Sequence, residues 1–174
     1  MIIEYTFTHK NVIPPTRANP SDAGLDIYYS HPTSASHTVR VPPHETVLLP
    51  TGLRFGVPHG YMLQVMNRSS VASKRHLIVG ACVIDSGYDG EVFINLHNVG
   101  TKEQVLRHGD KIAQIVMIPV ISFRAYRRHD GDLYEYPISM SERGDGALGS
   151  TDIKTPMDDN IKYNDIYSHT SKSD

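Results

Sequence analysis

A chain of 174 residues, 39% hydrophobic and 21% charged, fits one globular domain with tails and leaves little for a second. Its formal net charge of −2 supplies no field to collect a polyanion, which argues against a nucleic-acid polymer and leaves open a single nucleotide, for which a few local cations suffice. The lone Cys82 closes no intrachain disulfide, residues 1–10 lack the basic, apolar, small-residue order of a secretion signal, and the longest apolar stretch, 115–121, is far short of the ~20 residues that cross a bilayer, so no membrane partner and a cytoplasmic setting (a host's, for a viral protein) are expected.

Short apolar runs follow in chain order at 2–7, 38–41, 46–49, 61–66, 77–79, 92–96 and 111–116. Several alternate with period two: Val92, Ile94 and Leu96 fall on one face of an extended chain, Glu91, Asn95 and His97 on the other, as in a strand with one buried side. The runs are punctuated by Pro14-Pro15, Pro42-Pro43, Pro58, Ser86-Gly87, Asp89-Gly90 and Gly109-Asp110, a spacing that predicts an all-β sandwich or barrel. Only 69–76 reads as helical. From about Asp130 the pattern decays, so residues 1–130 form the β domain, 131–151 a linker and glycine-rich mobile arm, and 152–174 a polar tail extension.

Generic signatures fail their context. Gly144, Gly146 and Gly149 fit G-x-G-x-x-G but follow no strand and open no helix, and the same segment lacks the lysine of a phosphate-binding Walker loop. The ten histidines show no paired short spacing, make no recognisable zinc site with Cys82, and read mostly as surface residues.

Two segments say more. Arg68-Ser69-Ser70 stands where a strand gives way to the short helix, so hydroxyls, a guanidinium and free backbone N–H groups would surround an anion; the plain alternative is a Ser N-cap beside a solvated arginine. The segment from Gly80 to Gly90 reads as a hairpin whose turn carries Asp85 between Ile84 and Tyr88. A carboxylate there can orient a water as general base and the ring can wall a sugar, the plain alternative being a turn aspartate and a half-buried tyrosine.

Read in order, five motifs resemble the trimeric dUTPase family: Ala23-Gly24-Leu25-Asp26-Ile27, Arg68-Ser69-Ser70, Val83-Ile84-Asp85-Ser86-Gly87-Tyr88-Asp89-Gly90, Gly109-Asp110-Lys111-Ile112-Ala113-Gln114-Ile115-Val116, and Arg143-Gly144-Asp145-Gly146-Ala147-Leu148-Gly149-Ser150-Thr151. The resemblance implies a jelly-roll-like β fold, a homotrimer with active sites shared between subunits, and hydrolysis of dUTP to dUMP and pyrophosphate, which lowers dUTP and supplies dUMP for thymidylate synthesis. It further implies that Cys82, Val83 and Ile84 hold the pyrimidine, that Tyr88 packs under the deoxyribose, and that Asp85 is the catalytic residue, orienting the 3′-hydroxyl and the attacking water. Arg68, Ser69, Ser70 and Gln114 of a neighbour would bind the phosphates, and Asp26 would support Mg²⁺ through water. A third subunit's arm would bring Arg143 to the γ-phosphate and close Leu148 and Gly149 over the base.

Four positions depart from the family's pattern: Ser70 for glycine, Cys82 for a small glycine, Asp89 for arginine or glutamine, and Leu148 for the aromatic that covers uracil. The related dCTP deaminases also carry Arg-Ser-Ser, but they need a glutamate proton shuttle where this chain aligns Asn95, and an amide relays no proton at neutral pH. A bifunctional deaminase and dUTPase, a related hydrolase for another base, or a regulatory binding protein on the same scaffold are the remaining alternatives.

Overall fold

The turn signals separate eleven short strands and one helix: β1 (Glu4–Phe7), β2 (Leu25–Tyr28), β3 (Thr38–Val41), β4 (Thr46–Pro50), β5 (Leu53–Gly56), β6 (Tyr61–Met66), α1 (Ser69–Arg75), β7 (Leu77–Val79), β8 (Val83–Ile84), β9 (Phe93–Asn98), β10 (Gln104–Arg107) and β11 (Lys111–Pro119). They belong to a computed structural model that describes residues 1–129; Met1–Arg124 is one unit, and 125–129 belong to a second. The expected runs all appear, with ends shifted by up to three residues. The short β2, β5 and β10 add to them. Leu53 and Phe55 of β5 are buried and alternate as a strand should, but the element is only four residues long, follows Gly52 and ends on Gly56.

Every sheet is antiparallel and joins strands distant in sequence: β2-β11-β6-β8, β4-β9-β7, β10-β3 and β1-β5. No two consecutive strands pair among the described residues, and this crossing connectivity makes the all-β chain a jelly roll. It also overturns the hairpin expected over 80–90. β8 pairs with β6, whereas β9 pairs with β4 and β7, so the segment between β8 and β9 crosses from one sheet to another. Local turn signals showed where the chain bends, not which strand it would meet.

The expected face of β9 is confirmed: Val92, Ile94 and Leu96 are at most 3% exposed. They join Ile27, Leu49, Leu63 and Ile112 in the core, where each buried branched side chain contributes about 1.5–3 kcal/mol relative to exposure.

The histidines are less peripheral than the sequence suggested. His9, His31, His37, His97 and His108 are half-buried, and three of them meet at buried Tyr29. The His31 and His37 rings stack at 3.7 Å, Tyr29 Oη and His37 Nδ1 lie 2.5 Å apart, and the His31 N–H donates to His108 Nδ1 at 3.0 Å. Desolvation, then the charges of His37, His108 and His9, hold the His31 imidazole below its ordinary value of 6.5. The unfolded chain therefore takes up this proton at a higher pH than the folded one. The stability linked to His31 is complete above about pH 6.5 and is lost as pH falls through the window beneath it. Melting temperatures between about pH 7.5 and 5.5 should show this decline, and His31→Gln should flatten it; an identical slope in the variant would remove His31 as its source.

Candidate active site

Strand register assembles the first half of the site. β11 lies between β2 and β6, and Gln114 stands opposite Asp26 on one side and Met66 on the other. Two residues beyond Met66, Arg68 turns back over this row. Its Nε donates to Asp26 Oδ1 at 2.7 Å, while Lys111 Nζ reaches Asp26 Oδ2 at 2.8 Å. Gln114 Nε2 donates to the Asn67 carbonyl at 2.9 Å, and Asn67 Oδ1 accepts the Val79 N–H at 2.7 Å, which fixes the joint between β6 and α1. Burial alone would raise the Asp26 carboxyl, but hydrogen bonds from Lys111 and Arg68, with their charges, outweigh it and hold the group below the usual aspartate range. Asp26 is ionised at neutral pH.

Neither half of the plain alternative at Arg68-Ser69-Ser70 holds. The N-cap of α1 is Arg68 itself, in extended conformation and without a side-chain cap, and its guanidinium is ion-paired rather than solvated. Ser69 and Ser70 are exposed in the first turn, with no acidic residue beside them. Hydroxyls, first-turn N–H groups and a fixed guanidinium there suit an anion.

The second half is a cleft of about 200 Å³ lined by Val83, Ile84, Asp85, Tyr88, Glu91, Val92 and Phe93. The Tyr88 N–H closes a turn on the Asp85 carbonyl at 3.2 Å, with Gly87 at φ 85°, a conformation that favours glycine. Tyr88 folds back over Gly90, where a Cβ would come within 2.6 Å of the ring's Cζ, and its hydroxyl donates to the Glu91 carbonyl at 2.9 Å. The ring is thus held in place although 48% exposed. The Asp85 carboxylate is exposed and makes no hydrogen bond or ion pair among the described residues, so it is available to a ligand or water. Cys82 is half-buried, and its carbonyl already accepts the Val65 N–H at 2.7 Å. Asp89 is paired with Arg54 of β5, an exposed contact that contributes at most about 1 kcal/mol.

Asp26, Arg68 and Gln114 therefore come together, as do Val83, Ile84, Asp85 and Tyr88. Among the described residues no side-chain hydrogen bond or ion pair links the two groups. Arg143, Leu148 and Gly149 lie outside the described residues. A larger concavity, about 640 Å³ beside β1 and β5, contains none of the site residues read from the sequence. Lys111, Glu91 and Phe93 stand at the site without a role assigned by the motifs. A period-two count from Asn95 would have put Phe93, 44% exposed, on the outer face of β9, and a large exposed aromatic there is a signal.

The model of the dUTPase family matches residues 10–152. The deoxyuridine 5′-triphosphate nucleotidohydrolase of Gloeobacter violaceus is 35% identical over 139 residues, spanning 79% of this chain and 87% of that protein. The protein of the same name from Arabidopsis thaliana is 34% identical, spanning 84% and 80%. Among solved structures, a variant of the Staphylococcus bacteriophage 80alpha dUTPase with dUpNHpp superposes with a TM-score of 0.71 at 26% identity, over 87% of this chain and 99% of that one. A variant dUTPase from phage phi11 of S. aureus, described with a structural Mg(II) ion, gives 0.65 at 25% identity, over 74% and 97%. With its fold and most of its length matched in this way, the chain belongs to the dUTPase family.

Proposed function

We propose that the protein hydrolyses dUTP to dUMP and pyrophosphate, with Asp85 as general base. The observation that carries the mechanism is the unpartnered Asp85 carboxylate in a cleft beside the fixed Tyr88 ring. Asp85 accepts a proton from the water that attacks the α-phosphorus, and pyrophosphate leaves. Tyr88 offers its ring to the deoxyribose, and the backbone from Cys82 to Ile84 takes the pyrimidine. Arg68, Ser69, Ser70 and Gln114 bind the phosphates. Little covalent work falls to the protein, so positioning and charge screening dominate.

Among the described residues no three His, Cys, Asp or Glu side chains are arranged to hold a metal. Asp26 Oδ1 accepts one cationic donor and keeps a free acceptor position, while Oδ2 accepts Lys111 and lies 3.5 Å from Arg68 Nη2, which fits a metal carried by substrate phosphates and reached through water. Bound there, Mg²⁺ would screen the charge of the triphosphate.

A homotrimer with shared sites completes the reading. The two groups of site residues are separately organised, and Leu48, Val83 and Phe93 expose 61%, 55% and 44% of their surface, an apolar area suited to another copy. The arm of a third subunit would add Arg143 against the phosphates and Leu148 and Gly149 over the base.

Asn95 argues against deamination. Its Nδ2 donates to Thr46 Oγ1 at 2.9 Å, so the amide is a fixed cross-strand contact. Incubation with dUTP or dCTP, reading pyrophosphate and ammonia together, tests the assignment. Pyrophosphate from dUTP and no ammonia from dCTP are expected from the wild type and equally from Asn95→Glu, which lacks groups to hold the cytosine amine. Ammonia release by the wild type would reverse the assignment.

A further inference from the structure

We propose that Lys111 is a positioning residue that keeps the group around Arg68 net positive and Arg68 open toward the substrate's phosphates by holding one oxygen of Asp26. This rests on the reading that the Arg68 group binds phosphates. β11 shifts register between Lys111 and Ala113. In an unbroken strand Lys111 and Gln114 would face opposite sides. Here Ile112 and Ala113 are both fully buried, and the extra inward residue turns Lys111 outward, onto the side of Asp26. Its ammonium lies 2.8 Å from Asp26 Oδ2 and 5.7 Å from the centre of the Tyr28 ring, so it is held from two directions.

Geometry and charge both follow from that contact. Arg68 Nε is bonded to Oδ1 at 2.7 Å, but Arg68 Nη2 stands 3.5 Å from Oδ2, at the limit of a hydrogen bond. The pair is close to a two-pronged guanidinium–carboxylate fork that Lys111 keeps half open by occupying Oδ2. Without Lys111, Asp26 closes the fork, takes one Nη2 hydrogen and holds that edge of the guanidinium away from a phosphate. The charge changes in the same direction: two cations and one carboxylate leave the group at +1, whereas Asp26 and Arg68 alone cancel.

The test compares full-length wild type with Lys111→Met and Lys111→Arg, using calorimetric binding of deoxyuridine, dUMP and dUpNHpp with Mg²⁺ at two salt concentrations. Lys111→Met should weaken dUpNHpp about 10-fold, the effect of ~1.4 kcal/mol, with a smaller loss for dUMP and none for deoxyuridine. Its affinity should also depend less on salt, and Lys111→Arg should recover most of the loss. Lys111→Gln reports the same contrast if the methionine variant fails to fold. An equal loss for deoxyuridine and dUpNHpp would mark a merely structural role and overturn the proposal, as would unchanged dUpNHpp binding. Failure of the wild type to weaken from dUpNHpp to deoxyuridine would instead remove the phosphate reading of the Arg68 group, and the proposal with it.

Discussion

Asp85→Asn should lower kcat for dUTP by about 10²–10⁴-fold, the range for loss of a general base, while KM changes little. The substitution keeps the size of the side chain and an oxygen that can accept the 3′-hydroxyl, and removes the negative charge and with it the capacity to take the water's proton. The turn should survive it, because the structural bond at this position runs from the Tyr88 N–H to the Asp85 backbone carbonyl. Unchanged melting temperature and dUpNHpp affinity would separate lost chemistry from lost structure. An Asp85→Asn enzyme with near-normal turnover would remove the mechanism and leave the fold standing.

Ending the chain after residue 142 should cost on the order of 10³-fold or more in kcat, because it removes Arg143 and the segment proposed to close over the base. The stronger consequence concerns assembly. Truncated chains keep Asp85 and lack Arg143, whereas full-length Asp85→Asn chains have the reverse defect. Refolded together, they should recover activity that neither has alone, in about one site in four if subunits assort at random. Verified mixed assemblies that stay inactive, or a monomeric wild type, would count against sites shared between subunits.

Chemistry was more legible in the sequence than connectivity. Motifs such as Arg68-Ser69-Ser70 and the run from Val83 to Gly90 are local, so their residues and spacing could be read directly, and the period of Val92, Ile94 and Leu96 fixed the buried face of β9. Strand partners could not be read in this way, because every pairing is between elements far apart in sequence, and a turn signal at Ser86-Gly87 looks the same in a hairpin as in a crossing between sheets. Lys111 was obscure for a related reason: one bulge exchanges the two faces of a strand, and nothing in Asp110-Lys111-Ile112-Ala113 marks it. Arg54 beside Asp89, and the histidines around Tyr29, likewise meet only when distant segments are brought together.

Mass spectrometry of products formed in ¹⁸O-labelled water tests whether water attacks the α-phosphorus of dUTP. An equimolar mixture of dUTP, dCTP, dTTP and UTP with Mg²⁺ would present base and sugar choices together. Selective loss of dUTP, one ¹⁸O in dUMP and unlabelled pyrophosphate are expected. Label in the pyrophosphate, or conversion of dCTP to a deoxyuridine nucleotide, would contradict this.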